Sequence, residues 1–410
     1  MIFYMPKSHN SIIFLGLLSA FSLLTFDLYQ PSLPFITNYF NITPSMGQLT
    51  LSNYLLVYGI THLLWGPLID HFGRRRLLPG NLLLALIGSL MCAFAPNITM
   101  LICGRALQGF ALCCANLIAY SAARDFEDTI VRAKVLSYIS MTVSVSPIIA
   151  PVIGALIFHH FGWQANFIVM AIVACILLIQ TKLSLLESPF WTPPQERFSV
   201  KKILREYKSI LNIPSLWCAS FILMFGISAV MLTVINSSYL IIEVLNYSPL
   251  AYGLIFILNG LNIIFGNYLG IWLRDRLPII TTIYLGNWFI VLGGTAMLVT
   301  SKLFGFSLLA LSFSLIANLG ISVSAAPTIS IALTDFKQNA GIVMAFMNTI
   351  RLIGPSLLTI LTGYLLTRNL DALPLGLIGS GIGALFFSWH FSRLTTESKN
   401  SDMDSEEALT

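Results

Sequence analysis

Three ionisable side chains stand alone inside long apolar stretches: Asp27, Arg105 and Arg351. Burying a charge away from water is costly, so such residues are candidates for function before they are candidates for structure. Burial favours the neutral form of a carboxyl group, while a neighbouring guanidinium favours the carboxylate. An acid and an arginine at matched depth are therefore a titratable switch, and Asp27 is the only acid inside the apolar runs as bounded below. Arg351 is a fixed positive charge. It suits either an anionic group such as a carboxylate or a structural tie to Asn348, Asn318 or backbone carbonyls. Uncharged polar residues share these runs: Asn53, His62, Asn116, Asn236, Asn259, Asn262 and Asn318. Some are expected to line a wet cavity and others to tie helices together. Asn116, Asn236, Asn259 and Asn318, with Tyr29, Asp27 and Arg351, are taken as candidate substrate contacts, and His62 as a packed or cavity side chain.

The elements that hold these groups follow from composition. Of 410 residues, 56% are hydrophobic and 10% charged, against about 25% charged in soluble domains. A soluble fold of this size has too much surface to cover with so few polar side chains, so lipid must solvate much of it. A bilayer core of about 30 Å takes about 20 apolar residues per helix. Twelve runs meet that length: 11–29, 48–69, 77–95, 98–121, 136–158, 163–186, 215–240, 251–273, 278–300, 304–330, 341–366 and 373–391. The first is long for a signal-peptide core and carries no clear cleavage site, so it reads as a retained span. The net charge of +5 is spread over short loops rather than gathered into a patch for nucleic acid. The cysteines have neither zinc-ligand spacing nor a plausible disulfide arrangement, Cys113 and Cys114 being adjacent, and read as free thiols. No cofactor is expected.

Orientation follows from the bias of Lys and Arg in short loops. With a cytoplasmic N-terminus, 18 basic residues fall on the cytoplasmic side and only Lys302 and Arg368 on the other. Both termini are therefore expected in the cytoplasm. In an ideal helix Asp27 lies about 24 Å from the inner edge, Arg105 about 10 Å below the outer edge, and Arg351 about 16 Å deep. The expected organisation is a six-helix bundle over 1–187, a cytoplasmic linker over 188–214, a second six-helix bundle over 215–395 and a disordered acidic tail over 396–410. Pro189, Pro193 and Pro194 end the sixth span. After them Ser199–Leu211 sets Val200, Ile203, Leu204, Tyr207 and Ile210 on one face and Lys201, Lys202, Arg205 and Lys208 largely on the other, an amphipathic helix suited to the acidic inner leaflet.

The two halves echo one another. Gly66 is matched by Gly270 after 204 residues, and Pro147 by Pro355 after 208. Near-equal offsets imply a parallel repeat with a site between the halves. The segment Gly66-Pro-Leu-Ile-Asp70-His-Phe-Gly73-Arg74-Arg75-Arg76 resembles the signature loop of the major facilitator superfamily, and falls between spans two and three on the basic side. There Gly66 is expected to permit close helix approach and Asp70 to cap the positive N-terminus of a neighbouring helix. Asp27-Leu-Tyr-Gln-Pro-Ser-Leu-Pro34 is similar to the aspartate–tyrosine–proline signature of bicyclomycin-resistance-type drug:proton antiporters. Arg105-Ala-Leu-Gln108-Gly109 resembles the motif of proton-coupled members. Ser146-Pro147-Ile-Ile-Ala150-Pro151-Val-Ile-Gly154 is similar to the antiporter motif, whose prolines and glycines bend the helix around the gate.

The resemblance implies an all-α membrane protein, twelve transmembrane helices in two six-helix pseudo-symmetric bundles, that exports drug-like or amphipathic small molecules in exchange for protons. It assigns proton coupling to Asp27 and Arg105, and gating to Gly66, Asp70, Gly73, Arg74, Pro147, Pro151 and Gly154. Its partners are then a small-molecule substrate, protons and membrane lipid, with no nucleic acid, acting as a monomer. Arg351 is not part of the drug-antiporter pattern, and it keeps open a second reading: transport of an anionic, carboxylate-rich metabolite such as a siderophore. The chain has no glycine-rich Lys-Ser/Thr phosphate loop that would mark a nucleotide-driven pump. A polytopic membrane enzyme needs clustered acids, histidines or a nucleophile–base pair near one membrane face, and a single intramembrane acid argues against it.

Overall fold

Proline and glycine decide where this helical chain breaks. In the computed structural model, which describes residues 9–126, 128–184, 187–188, 191–192, 198–334, 336 and 340–407, all regular structure is helical. The first helix, α1 (His9–Asp27), stops at the acid. Pro31 and Pro34 follow, and a proline ring both lacks the N–H and clashes with the carbonyl four residues before it. The chain passes through one 3-10 turn, Gln30–Ser32, and restarts as α2 (Leu33–Tyr39) with Pro34 in the first turn. Then come α3 (Pro44–Phe72), α4 (Arg74–Ala93), α5 (Ile98–Ala122), α6 (Thr129–Phe161) and α7 (Trp163–Ser184). Gly73 joins α3 to α4 at φ +76°, a backbone conformation that favours glycine.

The later elements are α8 (Val200–Leu211), α9 (Pro214–Ser238), a π-helical turn Tyr239–Val244, α10 (Pro249–Arg274), α11 (Ile279–Phe304), α12 (Leu308–Ser312), α13 (Ser314–Ala332), α14 (Ala340–Leu366) and α15 (Ala372–Glu407). The amphipathic segment of the linker does form a helix, α8, with the Ser199 hydroxyl accepting from the Lys202 amide. Val200 and Leu204 are exposed on it and Ile210 is buried. Pro189, Pro193 and Pro194 lie outside the described residues. The final helix runs on to Glu407, through most of the segment expected to be a disordered tail.

Eleven helical stretches among the described residues are long and apolar enough to cross a bilayer. The remaining long helix is α3. At 29 residues it is ample in length, but Gln48, Thr50, Ser52, Asn53, Tyr54 and His62 lower its apolarity. Those polar side chains are mostly buried. Elsewhere large apolar side chains such as Ile87, Ile172, Leu258, Phe265 and Leu292 stand exposed along the spans, as lipid-facing residues do.

By packing the chain divides into two compact units, Met1–Phe198 with Ile235–Leu261, and Ser199–Val234 with Asn262–Thr410. The boundaries fall in the linker, within α9 and within α10, whereas the sequence pattern divides the chain at the linker alone. Each unit contains the same construction. In the first, the Asn53 side-chain amide donates to the Ile102 carbonyl at 3.0 Å. A Cβ on Gly88 would stand 2.9 Å from the Gly104 carbonyl, so α4 and α5 meet backbone to backbone. In the second, Asn262 donates to the Leu315 carbonyl at 2.9 Å. There a Cβ on Gly286 would stand 2.6 Å from the Gly320 carbonyl. The repeat is therefore written in side-chain ties as well as in sequence offsets. It is not exact at the site. Gly104 is followed by Arg105 and Gln108, Gly320 by Ile321 and Ser324.

Candidate functional site

Asp27 is the last residue of α1 and is 3% exposed. The helix break that follows turns Gln30 back onto it, and the Gln30 Nε2 donates to Asp27 Oδ1 at 2.8 Å. The second carboxyl oxygen, Oδ2, has no hydrogen-bond partner among the described residues. Gln30 is itself engaged at its other end, where its Oε1 accepts from the Tyr252 hydroxyl of α10 at 2.8 Å. The Tyr252 hydroxyl also lies 3.2 Å from Ser237 Oγ, in the last turn of α9.

Arg105 is wholly buried. Its guanidinium lies between two aromatic faces, 4.6 Å from the Tyr29 ring centre and 4.4 Å from that of Tyr54. Desolvated cation–π contacts of this kind contribute about 2 kcal/mol each. Nη1 donates to the Thr25 carbonyl at 3.0 Å and to Gln108 Oε1 at 2.6 Å. Gln108 sits one turn along α5 and hands its own amide to Ser89 Oγ at 2.8 Å. The two tyrosines are fixed in turn: Tyr29 shares a hydrogen bond with Thr50 at 2.7 Å, and Tyr54 donates to the Ser22 carbonyl at 2.8 Å. Nε and Nη2 of Arg105 have no hydrogen-bond partner among the described residues. Among the described residues Asp27 and Arg105 make no direct hydrogen bond. The arginine instead holds a carbonyl two residues before the acid, and the acid is held by Gln30.

The antiporter-like stretch of α6 packs beside this pair. Pro147 and Pro151 both lie inside the helix, and each removes one ladder N–H. A Cβ on Gly154 would overlap the Leu28 carbonyl oxygen, so only glycine lets α6 approach the broken end of α1. Asn166 of α7 bridges the same contact, donating to the Gly154 carbonyl at 3.3 Å and to Ser32 Oγ at 3.1 Å. On the other side of α6, Gly253 of α10 lies so near the Pro151 carbonyl that a Cβ there would be 3.0 Å from it.

The loop after α3 forms a second polar cluster. Arg74, 4% exposed, makes an ion pair with the buried Asp125. Asp125 also accepts from Ser188 Oγ at 2.7 Å. Glu187 accepts from the backbone amides of Arg74 at 3.1 Å and Arg75 at 3.0 Å. Glu187 is thus seated on the N-terminus of α4. Asp70 is exposed, and its backbone carbonyl accepts from Trp191 Nε1 at 2.9 Å. The close approach expected at Gly66 is not seen, since a Cβ there would meet nothing within 4 Å.

Of the other candidates, Asn116 accepts from Ser19 Oγ at 2.6 Å. Asn236 and Asn259 are buried within the first unit, and Asn318 within the second. Arg351 is half-buried in α14, also in the second unit. His62 is packed, its Nδ1 2.9 Å from the Tyr58 carbonyl and 3.4 Å from Cys113 Sγ. The structure therefore brings Asp27, Tyr29, Arg105 and Gly154 into one cluster. One further acid must be added: the π-helical turn extends the seventh apolar stretch to Val244 and carries the half-buried Glu243 into it. The sequence reading also passed over Tyr54, Tyr252, Asp125 and Glu187 as site residues. Gln30 lay inside the quoted Asp27–Pro34 segment, and its spacing of three from the acid was the available signal.

A sequence profile described as the Major Facilitator Superfamily matches residues 15–359. The chain belongs to that superfamily. It is accordingly a multi-pass membrane transporter, in keeping with the helices described above. Among its relatives, "Uncharacterized MFS-type transporter YdgK" of Bacillus subtilis (strain 168) is 28% identical over 396 residues, covering 93% of this chain and 94% of that protein. "Multidrug resistance protein MdtL" of Shigella flexneri serotype 5b (strain 8401) is 29% identical over 341 residues, covering 81% and 82%. Solved major-facilitator structures share the fold. A bacterial homologue of the human lysosomal transporter Spinster superposes with a TM-score of 0.74 at 15% identity, covering 95% of this chain and 98% of that one. A D-xylose–proton symporter superposes at 0.73 with 16% identity, covering 94% and 98%.

Proposed function

We propose that this transporter is a proton-coupled exporter of drug-like or small amphipathic molecules, of the bicyclomycin-resistance type, working by alternating access in the bacterial inner membrane. The observation that carries the reading is the state of the Asp27 carboxyl: buried, held at one oxygen by Gln30 and unengaged at the other. A carboxyl group so placed accepts a proton or a cationic cargo at Oδ2 without first breaking a bond to the protein. Arg105, fixed between two tyrosine rings, holds the Thr25 carbonyl two residues before the acid. The multidrug-resistance relatives support the substrate class. Tyr29, Asn116, Asn236 and Asn259 are proposed as cargo contacts and Pro147, Pro151, Gly154 and the Arg74 cluster as gate elements. The two homologous six-helix halves, 1–187 and 215–395, are the bodies proposed to rock, the protein acting as a monomer with α8 on the inner leaflet.

The deciding experiment is transport in proteoliposomes under an imposed pH gradient, with ethidium as a lipophilic cation and citrate as a carboxylate-rich compound. Wild-type protein should drive ethidium against the gradient of protons, and Asp27→Asn should abolish gradient-driven movement while the protein remains folded. Full gradient-driven transport by Asp27→Asn would remove Asp27 from the coupling role. Both termini are proposed to be cytoplasmic, so a cysteine placed near Lys201 should resist an impermeant reagent added to intact cells. A second reading, carriage of an anionic metabolite such as a siderophore, rests on the half-buried Arg351 of α14. Citrate transport in the same vesicles would favour it.

A further inference from the structure

Beyond Gln30, the hydrogen-bonded string that starts at Asp27 has no part in the function proposed above. Gln30 and Tyr252 are both 0% exposed and Ser237 is 2% exposed, so none of the three turns to bulk water instead. The string has a fixed direction. Gln30 Nε2 faces Asp27 Oδ1, so its Oε1 must be the atom that faces Tyr252. A carbonyl oxygen only accepts, so the Tyr252 hydroxyl donates to it, and Ser237 Oγ lies 3.2 Å from the same hydroxyl. Tyr252 thus donates to Gln30 and Gln30 to Asp27, and the last donor ends on the carboxyl group.

A string polarised this way is strongest when its final acceptor is an anion, because a charge-assisted hydrogen bond is about twice as strong as a neutral one. It also spans an interval of the chain that is irregular. Ser237 precedes the π-helical turn Tyr239–Val244, and Tyr252 follows Pro249 in the opening of α10. π-Helical turns are rare and occur mostly where helices serve a function. All of these residues lie within the first compact unit, although by sequence order Gln30 belongs to the first six spans and Tyr252 to the second. Among the described residues, the ionisable groups that interact electrostatically with Asp27 are Tyr54 of α3 and Tyr252 itself, and Tyr54 in turn faces Arg105 of α5, which also lies against Tyr29. The groups that α6 and α7 present here, Gly154 and Asn166, are uncharged, and Glu243 sits in the π-helical turn.

We propose that Gln30 and Tyr252 are positioning residues that transmit the charge state of Asp27 to the α9–α10 connection. The ionised carboxyl group holds that connection against the end of α1, and protonation of Asp27 loosens it. This rests on Asp27 being the coupling acid, but its test does not use transport. Hydrogen–deuterium exchange would be measured on the full-length protein in nanodiscs at acid and neutral pH, corrected with an unstructured reference peptide. In wild-type protein, residues 237–252 should exchange about fivefold faster at acid pH, the surplus of one charge-assisted bond over a neutral one, while 279–304 should not respond. Tyr252→Phe keeps the ring and removes the donor, and should exchange rapidly at both pH values. Asp27→Asn should do the same, and Ser237→Ala, at the far end, should show a smaller increase. An acid response that survives in Asp27→Asn, or an unchanged profile in both Tyr252→Phe and Ser237→Ala, would overturn the proposal. Loss of transport in Asp27→Asn with no change in exchange would sink the string alone and leave the coupling role of Asp27 standing.

Discussion

The carbonyl oxygen of Leu28 occupies the place where a side chain on Gly154 would begin. Because α1 ends at Asp27, that carbonyl sits at the break, and α6 can lie against it only with a bare backbone. Asn166 then ties both partners through the Gly154 carbonyl and Ser32.

Gly154→Ala should therefore be severe. The overlapping atom is backbone and cannot rotate away, so α6 must shift, at a cost of about 1–3 kcal/mol or more. A lowered melting temperature in detergent and loss of transport are expected. Gly66→Ala is the matched control, since its Cβ meets open space, and it should leave melting and transport near wild type.

Arg105→Lys should reduce gradient-driven transport at least tenfold, with normal abundance in the membrane. The forked guanidinium donates from one nitrogen to Thr25 and Gln108 while its plane lies between Tyr29 and Tyr54. An ammonium keeps the charge but has no plane to stack, so the tie from α5 to the Thr25 carbonyl at the end of α1 is no longer held in place. Tenfold corresponds to about 1.4 kcal/mol, less than one desolvated cation–π contact. Transport rates above a third of wild type would show that charge alone suffices there.

Much of this architecture was legible beforehand. The spans follow from runs of apolar residues, and the break after α1 from Pro31 and Pro34. The cluster of Asp27, Tyr29, Arg105 and Gly154 follows from motifs, each short and local in the chain. What was not legible lies in contacts across long stretches of sequence. Depth along ideal helices placed Asp27 level with Arg105, but said nothing of which way each side chain turns. Tyr29 and Tyr54 fill the faces of the guanidinium, and Gln30 takes the carboxyl. Tyr252, 222 residues from Gln30, carried no local sign of its partner. Glu243 was missed because apolarity alone ended the seventh span near residue 240, whereas the π-helical turn carries the helix on to Val244. Gly66 shows the opposite failure, since a motif glycine was credited with a close contact that its surroundings do not make.

At the loop after α3, Asp125→Asn should destabilise the protein more than Glu187→Gln. Asp125 and Arg74 are both buried, and removing one partner of a buried ion pair typically costs about 3–5 kcal/mol. Glu187 is one-quarter exposed; it accepts from the amides that open α4 and lies 3.9 Å from Arg74 Nε, and a cap with a partly exposed ion pair contributes about 1–2 kcal/mol. Melting temperatures of the two purified variants compare these directly. Equal losses would mean that the cluster holds together as one unit rather than as a pair and a cap.

Arg351 gives the last prediction, about cargo. It lies about midway along α14 and is half-buried, in the unit that does not contain Asp27. A guanidinium in a medium of low dielectric repels a cation and attracts a carboxylate strongly. The matching position of the first half supplies no second arginine, since Gly354-Pro355 of α14 answers to Ser146-Pro147 of α6, and the residue three before Ser146, the counterpart of Arg351, is Val143. The asymmetry makes Arg351 a feature of this half alone, which a purely architectural residue of a repeated fold need not be. Arg351→Ala should therefore weaken binding of an anionic compound such as citrate by at least tenfold, and leave a neutral amphipathic compound within about twofold; a tenfold change is about 1.4 kcal/mol, within the range of hydrogen bonds to charged groups. Isothermal titration of the purified protein with both compounds makes the comparison. Equal affinities for the two classes before and after the substitution would return Arg351 to a structural role.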